Sequence, residues 1–119
     1  MQDKSKVAHT SEIKIQIGLN EENMPVAIDW EAQGKTSEAK AMLVSFFDKE
    51  TGDTLKVDLW TLDMQVDEMD KFYFQTLRSM CDTYMKSTGN EELANAMRSF
   101  VQYFGEKTKI LIPSEQSDM

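Results

Sequence analysis

Ala39-Lys-Ala-Met-Leu-Val-Ser-Phe-Phe-Asp48, then Lys49-Glu-Thr-Gly52-Asp53, then Leu55-Lys-Val-Asp-Leu-Trp60, is the stretch on which the fold turns. Its first part could start as a helix, with Ser37 as the cap. Its end is β-branched and aromatic, which suits a pleated strand better. Asp48 to Asp53 is hairpin chemistry, with Gly52 free to take the left-handed position of the loop. After it, Leu55, Val57 and Leu59 alternate with Lys56, Asp58 and Trp60. The reading is therefore strand, tight turn, strand.

The same period extends towards the N-terminus. Ile13, Ile15, Ile17 and Leu19 fall on one face of residues 11–19, with Lys14 and Gln16 on the other. Residues 20–25 read as a turn. Val26, Ile28 and Trp30 resume the alternation against Asp29 and Glu31, and residues 34–37 break it again. Beyond Thr61 the period changes to that of a helix. Asp67 is a candidate N-cap, and Met69, Phe72, Tyr73, Leu77, Met80 and Tyr84 recur at helical spacing. Gly89 should end that helix and Asn90 should cap the next. Leu93, Met97, Phe100 and Phe104 form the second stripe, closed by Gly105, with Phe100 expected in the core. Residues 109–112 read either as a short edge strand or as an ordered tail. The expected fold class is α+β: a four-stranded antiparallel sheet, a meander, followed by two amphipathic helices packed on one face. The turns are too short for parallel crossovers.

A length of 119 residues is one domain's worth. The expected layout is a flexible leader over residues 1–10, a single α+β domain over 11–112 and a flexible tail over 113–119. The net charge of −8 opposes binding to nucleic acid or anionic lipid, because phosphates are repelled. The polar start lacks the apolar core of a secretory signal, and no apolar run approaches the ~20 residues of a membrane span. These features predict a cytoplasmic protein without direct membrane insertion. The single cysteine, Cys81, cannot form an internal disulfide, which suits a reducing compartment.

Candidate chemistry is sparse. His9, the one histidine, lies in the polar leader without an orienting partner. Cys81 is mid-helix, with Arg78 one turn away and Asp82 adjacent, and reads as a buried structural thiol. Asp48, Glu50 and Asp53 lack the alternating oxygen ligands of a calcium loop, so turn chemistry explains them. Asp63, Asp67, Glu68 and Asp70 surround a helix start, where carboxylates complement the dipole. No phosphate loop, nucleophile elbow or Cys/His metal spacing is visible. The expectation is a protein without cofactor, metal or catalytic residues.

The informative features are apolar. Met42, Val44 and Phe46 lie on one face of their strand, and Leu43 and Phe47 on the other. Two helices cover one sheet face. Met42, Val44 and Phe46, with Trp60 beside them, are therefore candidates for an outer apolar patch that meets a protein partner. Trp60 has the opposite parity from Leu55, Val57 and Leu59, so an outward Trp60 leaves those three facing inward. A two-fold homodimer would hide such a patch. A central strand with a small patch is the plainer alternative, and composition does not choose between them.

Several segments are familiar in their order: Ser11-Glu-Ile-Lys, Pro25-Val-Ala-Ile-Asp-Trp30, Leu55-Lys-Val-Asp-Leu-Trp60-Thr and Met64-Gln-Val-Asp-Glu-Met69. Phe74-Gln-Thr-Leu-Arg-Ser-Met-Cys-Asp-Thr-Tyr84 and Ala96-Met-Arg-Ser-Phe100 follow them, with Tyr103-Phe104 beyond. Together they resemble the gliding motility protein GldC family of the Bacteroidetes, over roughly residues 11–107. The resemblance implies a small soluble accessory of gliding, tied to the type IX secretion machinery, with gliding components as partners. It carries no catalytic residues to transfer. The implied role is a non-catalytic adaptor. The alternative is a holdase chaperone, because a four-stranded antiparallel sheet followed by two helices is similar in broad architecture to the export chaperone SecB.

Overall fold

The computed structural model describes residues 4–112; the expected tail over 113–119 and the first three residues of the leader lie outside the described residues. The chain divides into two compact units, Met1–Met64 and Gln65–Met119. The first holds five strands: β1 (Ile13–Leu19), β2 (Pro25–Ala32), β3 (Lys35–Ala39), β4 (Ala41–Phe47) and β5 (Thr54–Trp60). The second holds two helices, α1 (Val66–Thr88) and α2 (Glu91–Lys107).

The class is α+β, but the sheet differs from the expected four-stranded meander. Strands β1, β2 and β3 form one antiparallel sheet in that order, and β4 and β5 form a second of two strands. The additional strand is β3. Of residues 34–37, expected to break the chain, Gly34 forms a turn with Gln33, and residues 35–37 run back along β2 as the start of β3. Gln33 and Gly34 have φ of 54° and 80°, and Ala32 pairs directly with Lys35. Two consecutive positive-φ residues are a two-residue hairpin loop whose twist matches that of its strands. Residues 39–47 are then extended, as expected, but interrupted at Lys40, where the chain bends out of one sheet and into the other.

That corner is fastened by Thr61. Its N–H donates to the Lys40 carbonyl at 2.8 Å, and its hydroxyl lies 3.2 Å from the same oxygen and 2.5 Å from Asp63 Oδ1. Lys40 Nζ stands 3.9 Å from Asp63 Oδ2, and Leu62 N–H donates to Pro25 O at 3.1 Å. Thr61 is buried, so its polar atoms need these partners.

The other turns follow their residues. Asn20 Oδ1 accepts from the N–H groups of Glu22 and Met24. Asp48 Oδ2 accepts from those of Glu50 and Thr51, and Gly52 takes φ 74°. These N–H groups explain the acidic hairpin residue without a cation. The Thr51 N–H, then the Thr51 hydroxyl, hold the Asp48 carboxyl below the usual carboxylate range. The Thr61 hydroxyl, then the Lys40 ammonium, do the same for Asp63. With the folded value depressed, each carboxylate favours the fold above the unfolded pKa. That contribution is lost as pH falls through the folded value. We expect the side-chain carboxyl resonances of Asp48 and Asp63 to titrate below the ordinary value of about 3.9. Replacing Thr51 with Ala removes the hydroxyl but keeps the backbone N–H, so it should move Asp48 upwards only in part, to a midpoint still below the ordinary value. An Asp48 midpoint at or above the ordinary value in the unsubstituted chain would refute the assignment.

In the helical unit, the N-cap of α1 lies two residues before the expected Asp67. Gln65 is the N-cap, and its N–H donates to Glu68 Oε1 at 2.9 Å, which gives Glu68 a capping role. Gly89 closes α1 in the left-handed conformation, its N–H bonded to Met85 O at 2.8 Å, and Asn90 Oδ1 accepts from Leu93 N–H at 3.0 Å. Both match the sequence reading. The short Gly89-Asn90 link makes α1 and α2 a helical hairpin.

The buried cluster of that hairpin is Phe74, Cys81 and Val101, with Leu77, Met97, Phe104 and Leu111 packed around it. Phe100, expected in the core, is 53% exposed, and its neighbour Val101 takes the inward position. Gly105, expected to close α2, lies inside it and is buried; the helix runs on to Lys107. Lys109 then adopts φ 65° and Leu111 N–H returns to Gly105 O at 2.9 Å. Residues 109–112 are thus an ordered return segment rather than a strand.

Candidate protein-interaction surface

The β4–β5 hairpin positions the candidate residues. Its antiparallel register pairs Met42 with Leu59, Val44 with Val57 and Phe46 with Leu55. Directly paired residues project to the same face of an antiparallel sheet. Met42, Val44 and Phe46 therefore share one face with Leu55, Val57 and Leu59. Trp60 pairs with Ala41, so it projects from the opposite face, together with Leu43 and Phe47. The four expected residues are brought together only in part: Met42, Val44 and Phe46 are neighbours, and Trp60 belongs to the other side.

The same register shows a second departure. Leu55, Val57 and Leu59 cannot face inward while Met42, Val44 and Phe46 point outward, because cross-strand pairing forbids that division. The six form one apolar stripe. Met42 and Val44 are half-buried, whereas Phe46 is 63% exposed and Leu55 and Val57 are also exposed. On the reverse face Phe47 is exposed and Trp60 is 56% exposed. The signal for the missed residues was available in the hairpin itself. Asp48 N–H bonds to Asp53 O at 2.8 Å, so the loop ends on the Phe47–Thr54 pair, and counting outward from that pair gives the register.

The three-stranded sheet repeats the pattern. Ile15 pairs with Trp30 and Ile17 with Ile28, and Ile28 pairs on with Ala39. On the other face Lys14 pairs with Glu31 and Gln16 with Asp29. Ile28 is 2% exposed, but Ile13, Ile15, Leu19, Val26 and Trp30 all keep large exposed fractions. Among the described residues of the strand unit, Ile28 and Thr61 are the buried positions. A strand unit with so little enclosed apolar surface presents it outward.

The residues considered for catalysis sit elsewhere. His9 is exposed and lies outside any strand or helix. Cys81 is 1% exposed, and its thiol donates to Leu77 O at 3.3 Å, a core role. Asp82 pairs with Arg98 at 3.1 Å, a bridge between the two helices. Among the described residues, no three His, Cys, Asp or Glu side chains gather to hold a metal ion. No helix among the described residues is long and apolar enough to cross a membrane.

Five strands in two antiparallel sheets, followed by a helical hairpin, define an α+β protein whose strands carry exposed apolar side chains. Residues 25–110 match the family described as gliding motility-associated protein GldC-like, and the chain belongs to that family. The match starts at the first residue of β2 and includes all later strands and both helices; β1 lies outside it. No curated protein and no solved structure matches the chain.

Proposed function

We propose that this chain is a non-catalytic interaction module of the gliding apparatus, acting in the cytoplasm and linked through that apparatus to type IX secretion. The observation that carries the reading is the apolar stripe of Met42, Val44, Phe46, Leu55, Val57 and Leu59, exposed at Phe46, Leu55 and Val57, in a member of a gliding-associated family. An exposed contiguous apolar face costs solubility unless a partner uses it. The aromatic Phe46 is the natural anchor, because large rigid side chains concentrate binding energy at interfaces.

The test is Phe46→Lys in gliding cells that otherwise lack the protein. The substitution places a charge on an exposed site, so the fold should survive, with circular dichroism as the check. We expect gliding to be impaired and in-cell crosslinks to a gliding component to be lost. Wild-type gliding and crosslinking with Phe46→Lys would overturn the assignment. Capture of many unrelated unfolded chains through the same face would favour the holdase reading instead.

A further inference from the structure

We propose that β5 pairs with β5 of a second copy across a two-fold axis centred on Val57, completing a four-stranded antiparallel sheet. The inference names a partner for the apolar hairpin and so rests on the interaction-module reading.

Two observations carry it. The first is that β4 and β5 form a sheet of only two strands: among the described residues no strand is paired with the second edge of β5, and β2 approaches its C-terminal end, where Leu62 N–H bonds to Pro25 O. A two-stranded sheet is marginal in water, whereas three or more strands with an apolar face are stable. An open edge is also a template for pairing with another chain. The second is the sequence of β5 itself, Thr54-Leu-Lys-Val-Asp-Leu-Trp60. Turned antiparallel on itself about Val57, it is self-complementary. Val57 meets its own copy, Leu55 meets Leu59 on both sides, and Lys56 meets Asp58 on both sides. Opposite charges directly across an antiparallel pair stabilise it and like charges do the reverse, so the two Lys–Asp pairs select this register.

The pairing is isologous, so it closes at two copies. Val57, Leu55 and Leu59 share a face with Met42, Val44 and Phe46 in each copy. The joined sheet would therefore present the stripe twice over as one continuous apolar face. The β4 edge is a poorer candidate. Ala41–Phe47 carries no charged residue, so nothing in it sets a register. In the single chain Lys56 Nζ already lies 2.8 Å from Asp58 Oδ2, both on the face opposite the apolar stripe. In the pair each charge would also face its counterpart on the second strand.

The test is sedimentation equilibrium on the full chain at micromolar concentration, using Lys56→Glu, Asp58→Lys and an equimolar mixture of the two. The unsubstituted chain should sediment at twice its 13.7 kDa mass. In Lys56→Glu, carboxylates oppose each other at both cross-strand positions; in Asp58→Lys, ammonium groups do. Each should weaken self-association about tenfold or more. In the mixed pair one strand carries two carboxylates and the other two ammonium groups. Opposite charges then meet at both positions, so a heterodimer should return at native strength. The intrachain Lys56–Asp58 pair cannot produce that recovery. A monomeric native chain, or a dimer indifferent to both substitutions, overturns the β5 pairing. Because the readout is self-association alone, that result leaves the Phe46 gliding test standing separately.

Discussion

Phe74→Ala should destabilise the helical unit by about 3–5 kcal/mol, the usual cost of truncating a buried aromatic. Phe74 is 3% exposed and packs with Cys81 and Val101, with Leu77, Met97, Phe104 and Leu111 around them. The Arg78 guanidinium sits 4.9 Å from its ring centroid, and that cation–π contact would go as well, at roughly 0.5–1 kcal/mol. Phe100→Ala is the control. Its side chain is half exposed and its ring lies tilted against those of Tyr103 and Phe104, so its loss should cost about 1 kcal/mol or less. Urea unfolding followed by the helical circular dichroism signal measures both. If Phe100→Ala proved the costlier of the two, the inward face of α2 would be wrong.

Gly105→Val should be nearly as damaging, at about 3 kcal/mol, and Gly105→Ala should cost about 1–2 kcal/mol. The reason is space rather than backbone freedom, because Gly105 lies within α2. A Cβ at this position would stand 2.6 Å and 2.8 Å from Leu111 Cδ1 and Cγ, and 2.7 Å from Phe74 Cε1. The Phe74 ring is held in the core and cannot retreat cheaply. Ala would regain up to about 1 kcal/mol of helix propensity over Gly, which is why its net cost is the smaller. The pairing with Leu111 supplies a sharper check. Leu111→Ala removes two of the three contacts, so Gly105→Ala combined with Leu111→Ala should cost less than the sum of the two single changes. Strict additivity in that double-mutant cycle would mean that Gly105 is not kept small by Leu111.

Helix α2 divides between what its residues spell out and what its neighbours decide. Its apolar stripe was legible, and so was its N-cap Asn90. Yet the stripe of Leu93, Met97, Phe100 and Phe104 is wide enough that Phe100 and Val101 compete for the inward position. Only the packed hairpin chooses Val101. Gly105 reads equally well as a helix stop or as a close-approach residue. The decision lies with Leu111, which the chain brings back from beyond the helix end.

In the strand unit the division is similar. Alternation over β1, β2 and β5, the Asn20 and Asp48 turns and the Gly89-Asn90 link are all local matters. Each rests on side-chain parity or on a side chain bonding to its own neighbouring backbone, so the sequence by itself determined them. The family was legible too: the resemblance read over roughly residues 11–107 meets a family match over residues 25–110, which leaves out the first of its segments, at residues 11–14. The outcomes left to tertiary structure were those that depend on which residue stands opposite which. The Gln33-Gly34 turn became a hairpin because residues 35–39 found β2 to pair with. Lys40 became a corner because Thr61 captured its carbonyl. Trp60 parted from Met42, Val44 and Phe46 because the Phe47–Thr54 pair sets the register of β4 against β5. Parity along one strand is written in its residues, but the face shared by two strands is a relation between them, and only pairing supplies it.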